Sequence, residues 1–156
     1  RNIYQMVSMM KDVVKYGTPK KAKVLNRNDI AGKTGTTNDQ KDAWFTGFNR
    51  DVVTVSFIGF DNHSSLGKKE FGSTAALPMW IDYMKIALKG TPNSNLEEPE
   101  GLVSAKIDSK NGLLASPDSK NSITEVFRKE NIPKTFSKEN KIDDKKQEEI
   151  ELEKLF

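Results

Sequence analysis

Three short β-type runs between residues 30 and 60 constrain the fold more than any other feature of this chain. They cover residues 30–37 (Ile-Ala-Gly-Lys-Thr-Gly-Thr-Thr), 43–48 (Ala-Trp-Phe-Thr-Gly-Phe) and 52–60 (Val-Val-Thr-Val-Ser-Phe-Ile-Gly-Phe). Only Asn38–Lys41 and Asn49-Arg50-Asp51 connect them, and both connections are rich in turn residues. Links that short cannot carry a crossover helix, so the three runs must form an antiparallel meander. Side chains alternate along a strand, which sends Trp44 and Phe45 to opposite faces. Phe45 is expected in the core. In the third run Val53, Val55 and Phe57 fall on one face, with Val52, Ile58 and Phe60 on the other. A strand apolar on both faces is expected to be covered on both.

Helical spacing flanks the meander. Ile3, Met6, Val7, Met10, Val13 and Val14 mark an amphipathic helix over 3–16, closed by Gly17 and by Pro19 beyond it. Residues 18–28 read as a polar connection whose Lys20, Lys21, Lys23 and Arg27 form a solvated loop. After a loop over 61–73, Ser73 or Thr74 caps a second helix. Its apolar face is Leu77, Trp80, Ile81, Met84, Ala87 and Leu88; Pro78 sits in the first turn and Gly90 at the end. The class is therefore α+β, an antiparallel sheet packed by helices.

The remainder is thinner in apolar residues. Residues 91–101 read as a linker, so a first domain is expected to span 1–92 and a small β appendage 93–127. Val103, Ala105 and Ile107 alternate, and Asn111-Gly112 is a turn signal ahead of Leu113-Leu114. Residues 116–127 look weakly structured, with Ile123, Val126 and Phe127 on one short docking helix. From Arg128 onward eight Lys or Arg face eight Asp or Glu, and few apolar residues separate them. Such a segment, 128–156, is expected to be a mostly disordered charged tail.

Composition removes several functions. There is no cysteine, hence no disulfide or thiolate metal site, and no metal or cofactor is expected. No apolar run approaches the roughly 18 residues of a membrane span, and no signal peptide is visible. Basic and acidic residues number 25 and 22 and are intermixed, whereas a nucleic-acid-binding surface needs basic residues clustered on one face.

Chemistry concentrates in residues 29–40. Lys33, Thr34 and Thr36 supply donors suited to a carboxylate, and Gly35 lets another backbone or a reacting centre approach closely. A free strand edge there would also accept an extended peptide. A phosphate loop is excluded, because Gly32-Lys33-Thr34 lacks its companion glycine, and position 27 holds Arg27. A polar turn at a strand end remains the plain alternative.

The run Gly32-Lys33-Thr34-Gly35-Thr36-Thr37-Asn38-Asp39, followed by Asp42-Ala43-Trp44-Phe45-Thr46-Gly47-Phe48, resembles the last motif of the penicillin-binding transpeptidases. Val55-Ser56-Phe57-Ile58-Gly59-Phe60-Asp61 and Ala75-Ala76-Leu77-Pro78-Met79-Trp80 extend the likeness, which covers roughly 3–128 and is strongest to class A members of the 1A type. Ser8-Met9-Met10-Lys11 also fits the family's Ser-x-x-Lys, but it is mid-helix, only 25 positions before Lys33, with no Ser-x-Asn between. A nucleophile profits from a helix N-terminus, where free N–H groups favour negative charge. The attacking serine, its lysine and the Ser-x-Asn are thus expected upstream of Arg1, in a longer polypeptide of which this chain is a C-terminal piece, inactive alone.

The resemblance implies the C-terminal part of a penicillin-binding, β-lactamase-like transpeptidase fold and a serine DD-transpeptidase that cross-links D-Ala-D-Ala stem peptides of peptidoglycan. β-Lactams would acylate the same serine. By likeness, Lys33 is catalytic, Thr36 gives a backbone N–H to the oxyanion hole, and Thr34, Gly35, Thr36 and Trp44 bind substrate. The expected partners are stem peptides, β-lactams and the upstream part of the same polypeptide, without nucleic acid. The expected location is the periplasmic face of the inner membrane, anchored by an upstream helix, in a parent that also carries a glycosyltransferase domain. Two alternatives stay open: a non-catalytic penicillin-binding-like interaction module, and a DD-carboxypeptidase or β-lactamase of the same fold.

Overall fold

The computed structural model describes residues 1–116, 119 and 121–137, in two compact units, Arg1–Glu100 and Gly101–Phe156. In the first unit helix α1 (Asn2–Tyr16) precedes a 3-10 turn (Lys20–Leu25) and the strands β1 (Ala31–Thr36), β2 (Asp42–Phe48) and β3 (Val53–Gly59). The sheet order is β1-β2-β3, antiparallel, with Gly35 opposite Trp44 and Trp44 opposite Phe57. The expected meander is present, with β1 and β3 as its two edges.

Turn chemistry fixes the register. Thr37 Oγ1 accepts the Asp42 N–H at 2.7 Å across the first turn, where Asp39 and Gln40 take left-handed φ. Asn49 Oδ1 accepts the N–H groups of Asp51 and Val52 at 3.1 and 2.8 Å across the second. A π-helical turn, Gly72–Ala76, then runs into α2 (Leu77–Ala87). The cap of this run is Phe71, not Ser73 or Thr74; the Thr74 hydroxyl instead accepts the Phe71 N–H at 2.8 Å.

The core lies between α2 and one face of the sheet. Phe45, Leu77, Trp80 and Met84 are fully buried, joined by Ile81, Leu88, Ile30 and Val14. The Phe45 and Trp80 rings meet edge to face at 4.9 Å, and Trp80 Nε1 donates to the Thr54 carbonyl at 3.0 Å. Gly47 is required here, since a Cβ would lie 2.5 Å from Trp80.

Two apolar expectations fail in this unit. Val53, Val55 and Phe57 are 71%, 53% and 45% exposed, so β3 is covered on one face only. They share the Trp44 side of the sheet, while α2 lies on the Phe45 side. On α1 only Val14 is buried, and Ile3 and Met6 are exposed. Gly17 ends that helix in extended conformation, not the left-handed one, its N–H on the Val13 carbonyl at 2.8 Å. The expected linker after residue 92 also begins as part of this unit. Ser94 N donates to Asp29 at 3.0 Å, and Lys11 Nζ donates to Asn95 Oδ1.

In the second unit β4 (Leu102–Asp108) pairs antiparallel with β5 (Ser122–Arg128). The expected helix over Ile123, Val126 and Phe127 is thus a strand, as its β-branched and aromatic residues favour. Leu114, read as the return arm of a hairpin, makes only single bridges to Ile107 and Phe136. Gly112, at φ 72°, allows the turn that brings Leu113 O to Asp108 N at 2.8 Å. Residues 128–137 depart from the disordered tail expected. Ser137 is buried, and its hydroxyl donates to the Asp108 carboxylate at 2.8 Å. The rest of that expected tail, 138–156, lies outside the described residues.

Candidate functional site

β1 carries the candidate residues along an edge with no partner strand among the described residues. Its hydrogen-bonding direction follows from one bond: Thr37 N donates to Asp42 O at 3.0 Å. In an antiparallel strand alternate residues turn both backbone groups to the partner. Gly35 and Lys33 share the phase of Thr37 and face β2. Thr34 and Thr36 therefore turn N–H and C=O outward. Lys33 Nζ meets the Thr34 carbonyl at 2.8 Å, as an outward carbonyl permits.

Side chains flank this edge from both faces. Lys33 and Gly35 lie on the face of Trp44, and Thr34 and Thr36 on the other. Lys33 and Thr36 are exposed, and Thr34 and Gly35 half-buried. Trp44 is 40% exposed, its ring tilted against Phe57 at 4.3 Å. A Cβ on Gly35 would press on Trp44 Cβ at 3.2 Å. All five expected residues thus fall on one strip, with the cation and the hydroxyls on opposite sides of the backbone. An extended ligand lying along the edge reaches both sides at once.

Two neighbours of this strip were not legible as such. Thr18, just after α1, brings its hydroxyl to 3.4 Å from Thr34 Oγ1. Gly72 donates its N–H to Thr36 Oγ1 at 3.0 Å. In the sequence Gly72 signalled only a loop; its place beside Thr36, 36 positions earlier, depends on the intervening fold.

The lead-in to β1 is held by charge. Asp29 is 3% exposed, and Arg27 grips it with Nε on Oδ1 at 2.9 Å and Nη2 on Oδ2 at 2.6 Å. Burial pushes this carboxyl upward. The Arg27 fork, the Ser94 N–H and the Asn49 amide outweigh it and hold the group below the ordinary carboxylate range. Arg27 also donates to the carbonyls of Thr91 and Pro92, both at 2.8 Å. It is therefore a structural clamp and not, as expected, part of a solvated loop, whereas Lys20, Lys21 and Lys23 are exposed. Three cavities of about 340 to 410 Å³ open around Arg27, and none of the three is lined by Lys33, Thr34, Gly35 or Thr36.

Other sequence candidates stay apart. Ser8 and Lys11 line one of those cavities from mid-helix, and Lys11 is engaged by Asn95. Burial lowers the Lys11 pKa against the pull of Asp29. His63 is exposed, with Nδ1 3.9 Å from Asp42.

Similarity to known proteins converges on one family. Residues 98–141 match the family described as penicillin-binding protein 1A, C-terminal domain. Penicillin-binding protein 1A of Pseudomonas aeruginosa is 49% identical over 133 residues, covering 85% of this chain and 16% of that protein. The Neisseria lactamica protein of the same name is 56% identical over 103 residues, 66% of this chain and 13% of its own length. The crystal structure of penicillin-binding protein 1A from Haemophilus influenzae superposes with a TM-score of 0.76 at 35% identity, covering 85% of this chain and 21% of that one. The chain thus spans about a sixth of the length of the Pseudomonas relative. By sequence and by fold, it belongs to the class A, 1A-type penicillin-binding proteins.

Proposed function

We propose that Lys33–Thr36 and Trp44 form one wall of the acyl-transfer pocket of a serine DD-transpeptidase that cross-links peptidoglycan. The observation that carries this reading is the outward-facing Thr36 N–H on a strand edge that has no partner strand among the described residues, with hydroxyls on one side and an ammonium on the other. A D-Ala-D-Ala peptide lies along that edge in extended form. Its terminal carboxylate accepts from the Thr34 and Thr36 hydroxyls. Lys33 supplies positive potential, and Trp44 bounds the side where Gly35 leaves room.

The attacking serine belongs to the parent protein outside this chain. Its oxygen bonds to the carbonyl carbon of the penultimate D-alanine, and the π electrons move onto the carbonyl oxygen. Thr36 N–H donates to that oxyanion. Collapse expels the terminal D-alanine, whose nitrogen takes the proton given up by the serine hydroxyl. A stem-peptide amine then displaces the serine from the acyl group, and the proton it loses returns to the departing serine oxygen. A β-lactam follows the first half of this course and stays attached. One missing oxyanion donor typically costs about 2.7–4 kcal/mol of transition-state stabilisation.

The same reading places the parent at the outer face of the bacterial inner membrane. No helix among the described residues is long and apolar enough to cross a membrane, so the anchor would lie elsewhere in the parent. Fluorescent-penicillin labelling of the complete protein tests the assignment. Thr36→Val is expected to slow acylation about 10- to 100-fold, as loss of a hydrogen bond to a charged group does. Labelling at the unmodified rate would reject the carboxylate role.

A further inference from the structure

We infer that Gly72 is a positioning residue that fixes the Thr36 hydroxyl as a donor toward an anionic ligand; the inference rests on the carboxylate role proposed for Thr36. The first observation is steric. A Cβ at position 72 would lie 2.3 Å from the Trp44 carbonyl oxygen, 2.6 Å from the Gly35 oxygen and 3.2 Å from the Gly35 nitrogen. All three are backbone atoms of paired strands and cannot swing aside. Gly72 is not among the residues with positive φ, so its backbone conformation does not demand glycine. The absence of a side chain serves close approach alone. The turn that starts α2 is thereby seated on β1 and β2 at the level of Gly35.

The second observation is the hydrogen bond. Gly72 begins the helical run, where the first N–H groups lack intrahelical acceptors. Its N–H donates to Thr36 Oγ1 at 3.0 Å. Phe71 O accepts from Thr74 N and Ala75 N at 3.0 and 2.8 Å, so the neighbouring donors are engaged within the turn. A hydroxyl has one proton to give and two lone pairs. With one lone pair held by Gly72, the Thr36 proton is free to donate toward the outer edge. A donor behind an acceptor strengthens the next bond in the series. Gly72 thus acts on the ligand only through Thr36, as an orienting and polarising partner.

The test is a double-mutant cycle in the complete protein, read as the rate of acylation by benzylpenicillin. Thr36→Val and Gly72→Ala are each expected to slow acylation about 10- to 100-fold, and the double variant no further than the slower single. Independent multiplication of the two losses, or an unimpaired Gly72→Ala, would overturn the inference while leaving the carboxylate role standing. An unimpaired Thr36→Val would sink both. Should Gly72→Ala fail to fold, deuterium uptake by the segment spanning residues 70–75 gives the answer without it. Uptake at Gly72 is expected to rise in Thr36→Val and to stay unchanged in Thr36→Ser, which keeps the hydroxyl. Equal uptake in both variants would refute the Gly72–Thr36 bond.

Discussion

Asp29→Asn tests whether the strand that carries the site is held by a buried charge pair. The carboxylate accepts four hydrogen bonds: Arg27 Nε at 2.9 Å, Arg27 Nη2 at 2.6 Å, Ser94 N at 3.0 Å and Asn49 Nδ2 at 3.3 Å. An amide offers one oxygen to four donors and turns its own NH₂ toward some of them. It also leaves the Arg27 guanidinium, whose side chain is 10% exposed, without its counter-charge. Breaking a buried pair from one side costs about 3–5 kcal/mol. Arg27 keeps the carbonyls of Thr91 and Pro92, which argues for the lower end, about 3 kcal/mol. With a urea slope of roughly 2 kcal/mol per molar, the midpoint should fall by about 1.5 M at pH 7. The double variant Arg27→Met/Asp29→Leu should lose less than the sum of the two singles, since it leaves no unpaired charge. The pH dependence has a definite sign. The folded pKa of Asp29 lies below its unfolded value near 3.9, so the stabilisation is complete above that value and lost as pH falls through the folded one. Asp29→Asn should lack that acid-limb contribution. A midpoint shift below about 0.5 M, or an acid limb identical to that of the parent, would refute the clamp.

Three further outcomes follow from the packing. Gly47→Ala places a Cβ 2.5 Å from the Trp80 ring and 2.8 Å from Phe45, and should cost about 1–3 kcal/mol in urea titration. Met84→Ala, at a fully buried position under the sheet, should cost about 2–5 kcal/mol by the same measurement while leaving penicillin acylation of the complete protein unchanged. Gly35→Val presses on Trp44 Cβ beside the edge proposed to hold the acyl group and should abolish acylation in a protein that still unfolds cooperatively; normal labelling would contradict that proposal.

What the sequence revealed and concealed divides along physical lines. The meander was legible because turn residues and alternation are local, and Asn49 and Thr37 do close the turns where they stand. Trp44 and Phe45 could be assigned to opposite faces from period two alone, and Phe45 to the core. The state of Val53, Val55 and Phe57 was not legible, because apolar character says that a face suits burial and not which segment covers it. β5 escaped because Ile123, Val126 and Phe127 fit a short helix as well as a strand until the pairing with β4 decides. At the site, Lys33 to Thr36 stand consecutively and were read together. Arg27 and Asp29 stand two residues apart, but the place of Gly72 beside Thr36 and the bonds that tie the Arg27–Asp29 pair to Asn49, Thr91, Pro92 and Ser94 join distant segments, which no local pattern encodes.

The most direct measurement of the central claim is a crystal structure of the complete protein acylated by a β-lactam. The account predicts the acyl carbonyl oxygen within about 3.1 Å of Thr36 N and the ligand carboxylate on the Thr34 and Thr36 hydroxyls, with the ligand lying along the outer edge of β1. An acyl group seated away from that edge, with Thr36 N–H directed to solvent or to another strand, would contradict it.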